Sequence, residues 1–214
     1  MNRIASIQTS SLLVLMAFAL ACSSSKQEET TSPELPILGE RYVDDNQDTV
    51  YHSIADFAFV NQLGDTIQKK DVAGKVYVAD FFFTTCPTIC PIMKKEMLRV
   101  YEQFKGDPNF RILSHTIDPT HDTQAVLQDY AGKLGVSDAA TWNFLTGDQE
   151  KIFEIGQTSY LTTAMADDLE PGGFLHSGAF VLVDQQGRIR GVYDGTKSEQ
   201  VDRLLADIPK LLNP

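Results

Sequence analysis

From Val76 to Phe83 the chain is apolar at every position except Asp80, a run that suits a strand buried on both faces of a parallel or mixed sheet. The period then changes. Ile92, Met93, Met97, Val100, Tyr101 and Phe104 recur at helical spacing, with Lys94, Lys95, Arg99, Glu102 and Gln103 between them, predicting a helix that begins near Pro91. The alternation repeats downstream. Phe110 to Ile117 reads as a second buried strand ended by Asp118-Pro119, and Asp122 is placed to cap a helix from Thr123 to about Leu134. Trp142 to Leu145 reads as a third strand and Asp148 to Ile155 as a short helix. Ala179 to Val183 and Arg188 to Tyr193 read as two strands joined by a turn at Gln186-Gly187, and a helix follows from Ser198 to about Leu212. Upstream, Ile54, Phe57, Phe59, Val60, Leu63 and Ile67 flank Gly64-Asp65 and predict a short hairpin.

Strand-helix-strand-helix-strand followed by hairpin and helix is an α/β order. It predicts a thioredoxin-like fold, a central mixed sheet flanked by helices, with an N-terminal hairpin. Residues 158–175 carry no period and hold Asp167, Asp168, Glu170 and Pro171-Gly172-Gly173, a stretch long enough to be a functional loop inserted before His176.

The chain's beginning has another character. Arg3 is the only early charge, Leu12 to Ala21 is apolar but too short to span a bilayer, and small residues precede Cys22. Residues 1–21 therefore read as a signal peptide of bacterial lipoprotein type, with Cys22 the lipidated first mature residue; an ordinary secretory signal is the alternative. Residues 22–48, rich in Ser, Thr, Glu, Gln and Pro, read as a flexible tether to a domain at residues 49–214. The expectation is an exported, membrane-anchored protein facing the periplasm or cell exterior. A net charge of −11 excludes nucleic acid as the expected partner, since no basic cluster is visible, and otherwise bears on solubility.

With Cys22 assigned to lipid, two of the three cysteines remain, Cys86 and Cys90, spaced Cys-x-x-x-Cys-Pro at the carboxyl end of the central strand. Cys90 falls at or next to a helix N-cap, where unpaired N–H groups and the helix dipole favour thiolate. Two thiolates suit Cu(I) better than hard cations, and a third donor is wanted. His176 is the candidate, because it stands just before a strand expected beside the cysteine strand, where thioredoxins have a cis-proline. The bland readings are a local disulfide and a surface histidine. His115 reads as a packed neighbour, His121 as solvated, and His52 as lying at the tether's edge. Met93 and Met97 read as core rather than auxiliary ligands. Asp118 is either a turn cap or a group supporting the site or touching a partner.

Phe83-Thr84-Thr85-Cys86-Pro87-Thr88-Ile89-Cys90-Pro91, then Ile117-Asp118-Pro119-Thr120-His121-Asp122-Thr123, then Leu175-His176-Ser177 with Phe180-Val181-Leu182-Val183-Asp184 and Gly187, resemble the Sco/SenC family of copper chaperones. The resemblance covers essentially the whole globular part. It implies a membrane-tethered, thioredoxin-like protein that binds copper, as Cu(I) and in some states Cu(II), and serves assembly of cytochrome c oxidase. The metal ligands it implies are Cys86, Cys90 and His176, and the partners are the copper-site subunit of the oxidase or another copper chaperone. His121 stands where the family often has arginine, and Gln124 where it often has proline. The competing expectations are a thiol-disulfide reductase cycling Cys86 and Cys90, a copper or redox sensor, and a peroxidase, which lacks the proline and hydroxyl needed before its reactive cysteine.

Overall fold

In the computed structural model, which describes residues 34–167 and 169–213, the chain enters through two hairpins. The first joins β1 (Arg41–Val43) to β2 (Thr49–Tyr51), its turn held by the Asp44 carboxylate, which accepts the N–H groups of Asn46 and Asp48. The second joins β3 (Ala58–Val60) to β4 (Thr66–Gln68) around the expected Gly64-Asp65 turn, where Asn61 Oδ1 takes the N–H groups of Leu63 and Asp65. A single turn, α1 (Lys69–Val72), leads into β5 (Val76–Phe82), which is buried along its whole length.

Next come α2 (Cys90–Phe104), β6 (Phe110–Thr116), α3 (Gln124–Lys133), β7 (Trp142–Leu145) and α4 (Gln149–Glu154), which continues as a π-helical turn, Ile155–Ser159. A small hairpin of β8 (Ala164–Ala166) and β9 (Phe174–His176) precedes β10 (Ala179–Val183), β11 (Ile189–Asp194) and α5 (Ser198–Leu212). The main sheet runs β11-β10-β5-β6-β7, with β5, β6 and β7 parallel and the other pairs antiparallel. This is the mixed, thioredoxin-like sheet that the order of elements predicts. Helices α2 and α3 share one face, reached by Lys94 and Tyr130, and α5 joins them through Arg99, which donates to Ser198 and Asp202. The π turn and the β3–β4 hairpin cover the other face with Tyr160, Phe57 and Phe59.

Three expectations change. The segment from Glu34 to Asp48, polar enough to read as tether, lies on the domain: the Leu38 N–H bonds Ile189 O, and the buried Arg190 guanidinium binds Leu35 O and Pro36 O. Tyr42-Val43 and Val50-Tyr51, adjacent apolar pairs on either side of a polar turn, belong to a hairpin with Tyr42 opposite Val50 that composition hid. The aperiodic stretch before His176 contains the β8–β9 hairpin, whose strands are too short to show a period. Thr123 rather than Asp122 caps α3, accepting the Val126 N–H, because Asp122 turns inward. The signal peptide, Cys22 and the tether up to residue 33 lie outside the described residues. Among those described, no helix is long and apolar enough to cross a membrane.

Two polar groups sit deep in this core. Asp80 and Lys94 form a buried ion pair at 2.7 Å; Lys94 also reaches Ser114 Oγ, and Ser114 donates to Asp80 and accepts Trp142 Nε1–H. His115, paired in register with Phe81, is enclosed by Phe57, Phe59, Phe81 and Tyr160, and neither ring nitrogen finds a hydrogen-bond partner. Burial pushes its pKa down to about 3. The folded state holds the ring neutral while the unfolded chain takes up a proton near pH 6.5. Stability contributed by the neutral ring is therefore complete above pH 6.5 and is lost as pH falls toward 3, reaching about 2 kcal/mol at pH 5. Urea unfolding of wild type and His115→Phe from pH 7 to 5 is expected to show a shallower loss in the variant by about that amount; parallel profiles would contradict the assignment.

Candidate metal centre

Both cysteines owe their positions to the junction of β5 and α2. After Phe83 the chain turns, with the Cys86 N–H bonded to Phe83 O, and α2 begins with Ile89 as N-cap, Cys90 as its first residue and Pro91 next. Proline suits the first turn because its missing N–H has no intrahelical partner there. The start of the loop is fixed from below by Asp122, fully buried, whose carboxylate accepts the Thr84 N–H at 3.0 Å, the Thr84 hydroxyl and the Thr116 hydroxyl at 2.5 Å. Asp122 is the site-shaping residue that sequence reasoning assigned elsewhere. Its one legible signal was membership of the Asp118–Thr123 motif.

The third group arrives from the far side of the chain. His176 ends β9, opposite Ala164, and β10 then runs beside β5 with Val181 facing Ala79, so the imidazole is carried over the carboxyl end of β5. His176 Nδ1 lies 3.3 Å from Ser177 O, which can only accept. Nδ1 therefore carries the proton, and the Nε2 lone pair faces the sulfurs, 3.4 Å from Cys90 Sγ and 3.9 Å from Cys86 Sγ. The three atoms lie within 4.8 Å of one another, and all three residues are buried. Phe83 packs its edge on the imidazole and on Phe174. Above it, Gly172 at φ +93° leaves no room for a side chain, since a Cβ would stand 2.7 Å from the Phe83 ring.

The two thiols are tuned apart. Burial raises the pKa of Cys86, but hydrogen bonds from the Cys90 backbone and from the Thr88 side chain and backbone outweigh it and hold the thiol below its ordinary value. Cys90 is pushed up to about 12 by burial, only partly offset by the Lys94 charge. Burial also lowers His176, keeping the imidazole neutral. A neutral imidazole, one more readily ionised thiol and one thiol whose proton is held more tightly form a soft donor set able to hold a metal ion, or a dithiol able to close into a disulfide. Two openings reach the sulfurs. A cavity of about 230 Å³ exposes Cys86 and His176 beside Glu170 and Leu175. Another of about 400 Å³ exposes Cys86 and Cys90 beside Lys94, Lys95 and Tyr130. A larger cavity, about 540 Å³ between Phe57, Phe59 and Lys151, touches none of the three donors.

The other sequence candidates lie apart from the cluster. The Asp118 carboxylate accepts the His121 N–H and its carbonyl the Asp122 N–H, so it holds the turn. His121 is exposed, His52 Nε2 meets Ser159 O, and Met93 and Met97 are core.

Comparison with known proteins gives a consistent picture. The SCO1 protein homolog of Bacillus subtilis is 30% identical over 164 residues, 76% of this chain and 84% of that one. A SCO1/SenC family lipoprotein from Bacillus anthracis superposes with a TM-score of 0.68 at 29% identity, over 76% of this chain and 96% of that one. BsSco, described as having a disulfide switch and as a member of the Sco family of cytochrome c oxidase assembly proteins, gives 0.67 at 29% identity, over 76% and 94%. The family model described as SCO1/SenC matches residues 45–213, and with the dicysteine loop and its histidine in place, this chain belongs to the SCO1/SenC family.

Proposed function

We propose that this protein is a copper metallochaperone that holds copper through Cys86 Sγ, Cys90 Sγ and His176 Nε2 and assists maturation of the copper site of cytochrome c oxidase. The observation that carries the reading is the meeting of two sulfurs and one aimed imidazole nitrogen within 4.8 Å. Two thiolates and a neutral imidazole favour Cu(I) and leave the loaded site with one net negative charge. The imidazole also serves Cu(II). Among the described residues no fourth Cys, His or carboxylate joins the cluster, so a closed zinc site lacks a ligand and the bound ion stays open to a receiving partner. Family membership and the description of BsSco support the copper-site subunit of the oxidase as that partner, with another copper chaperone as the source. The pattern in residues 1–22, together with the lipoprotein relative, supports export and anchoring through Cys22, with the domain facing the periplasm or cell exterior.

A second reading, thiol-disulfide reductase, is favoured by the opposed tuning of the two cysteines, both free. Cys86 thiolate attacks a partner disulfide and releases one partner thiolate. Cys90, after giving up its proton, displaces the other and leaves a Cys86–Cys90 disulfide, so two electrons pass to the partner. The two roles share one gate, since a disulfide cannot bind Cu(I).

Copper titration of the reduced domain is expected to give one ion per chain, with His176→Ala weakening affinity by more than about 100-fold while leaving disulfide exchange intact. Unchanged copper binding in that variant would remove His176 from the site. In timed alkylation of the reduced domain at pH 7, Cys86 is expected to be modified at least about tenfold faster than Cys90, following thiolate content. Equal rates would contradict the tuning.

A further inference from the structure

The two openings onto the dicysteine differ in charge. Among the described residues Glu170 is the one with a charged side chain lining the loop-side cavity, which holds Cys86 and His176. Among the described residues the helix-side cavity, which holds Cys86 and Cys90, is lined by no carboxylate and by Lys95 and Lys94, the charge of Lys94 being paired with Asp80. A cation approaching the sulfurs therefore meets an attractive mouth on one side and a repelling one on the other.

Glu170 is held at that mouth by its main chain. Its N–H bonds Asp167 O and its carbonyl takes the Gly173 N–H, which fixes the tip of the β8–β9 hairpin. The tip rests on Phe83 through Gly172, and Phe83 in turn packs on the His176 ring. The carboxylate is exposed, unlike those of Asp80 and Asp122, which hydrogen bonds hold in the core. It is not part of the cluster of donors within 4.8 Å, so its place is outside the ligand set.

From this we infer that Glu170 is the capture residue for incoming copper: its carboxylate takes the hydrated cation at the loop-side mouth and passes it inward to Cys86 and His176. The inference rests on the copper reading above and adds the route and the residue that governs it. An oxygen donor holds a hydrated ion loosely, whereas the sulfurs and imidazole inside bind it more tightly, so transfer runs inward without a trap at the rim. Glu170 acts on loading and leaves the final coordination to the three inner donors.

The test is stopped-flow mixing of reduced metal-free protein with copper(II) chloride, read by sulfur-to-copper charge-transfer absorption. The variants are Glu170→Gln, Glu170→Lys, Lys95→Gln and Glu102→Gln, the last an equal charge change near the other end of α2. One unit charge about 6 Å from the path of a divalent ion is worth about a factor of ten in water. At low ionic strength Glu170→Gln should load about tenfold more slowly and Glu170→Lys about 100-fold, with the differences vanishing near ~1 M salt. Lys95→Gln and Glu102→Gln should load no more slowly than wild type, and every variant should reach the wild-type final spectrum. Wild-type loading by Glu170→Gln, an equal slowing by Glu102→Gln, or a changed final spectrum would overturn the capture role while leaving the copper reading intact. Absence of the charge-transfer band in wild type itself would overturn capture of copper(II), while failure of the reduced protein to bind Cu(I) would overturn the copper reading.

Discussion

The buried pair of Lys94 and Asp80 is the interaction on which the position of both sulfurs depends. Lys94 stands one helical turn beyond Cys90, and its ammonium, 2.7 Å from Asp80 in the middle of β5, ties α2 to the central strand. Ser114 and Trp142 extend the tie to β6 and β7, and the Phe82 ring lies 3.9 Å beneath the ammonium. Two desolvated charges favour folding only when well paired, and loss of one partner costs roughly 3–5 kcal/mol. Any slide of α2 along the sheet would break the pair, so the helix start that carries Cys90 is held in one register over the strand end that leads to Cys86.

The same burial tunes the chemistry. Burial keeps His176 neutral and Cys90 protonated, while backbone and threonine donors leave Cys86 as the more readily ionised thiol. Loading a metal must release the Cys90 proton, and oxidation must take it as well. Metal binding and disulfide formation therefore compete for one thiol.

Much of this was legible in the chain because each piece had a local signal. Continuous apolarity gave β5, helical spacing gave α2, and a proline after Cys90 marked where the helix begins. His176 was legible through topology, as the residue before the strand expected beside β5. Other features carried no such signal. Asp122 looks like any helix cap, and only its inward turn toward Thr84 and Thr116 makes it a support of the cysteine loop. The β8–β9 hairpin is built from strands of three residues, too short for alternation to register. The residues from Glu34 to Asp48 mix charged groups with a short apolar run, Leu35-Pro36-Ile37-Leu38. Their docking depends on the core that Leu35 and Leu38 meet and on a buried arginine far away in sequence, Arg190. Long-range partners of this kind leave no trace in local composition.

The central claim is that two sulfurs and one imidazole share a single ion. X-ray absorption at the copper edge of the Cu(I)-loaded domain tests it most directly. The account predicts two sulfur scatterers and one imidazole nitrogen around an isolated copper. A copper–copper vector, or a first shell without the imidazole, would contradict it.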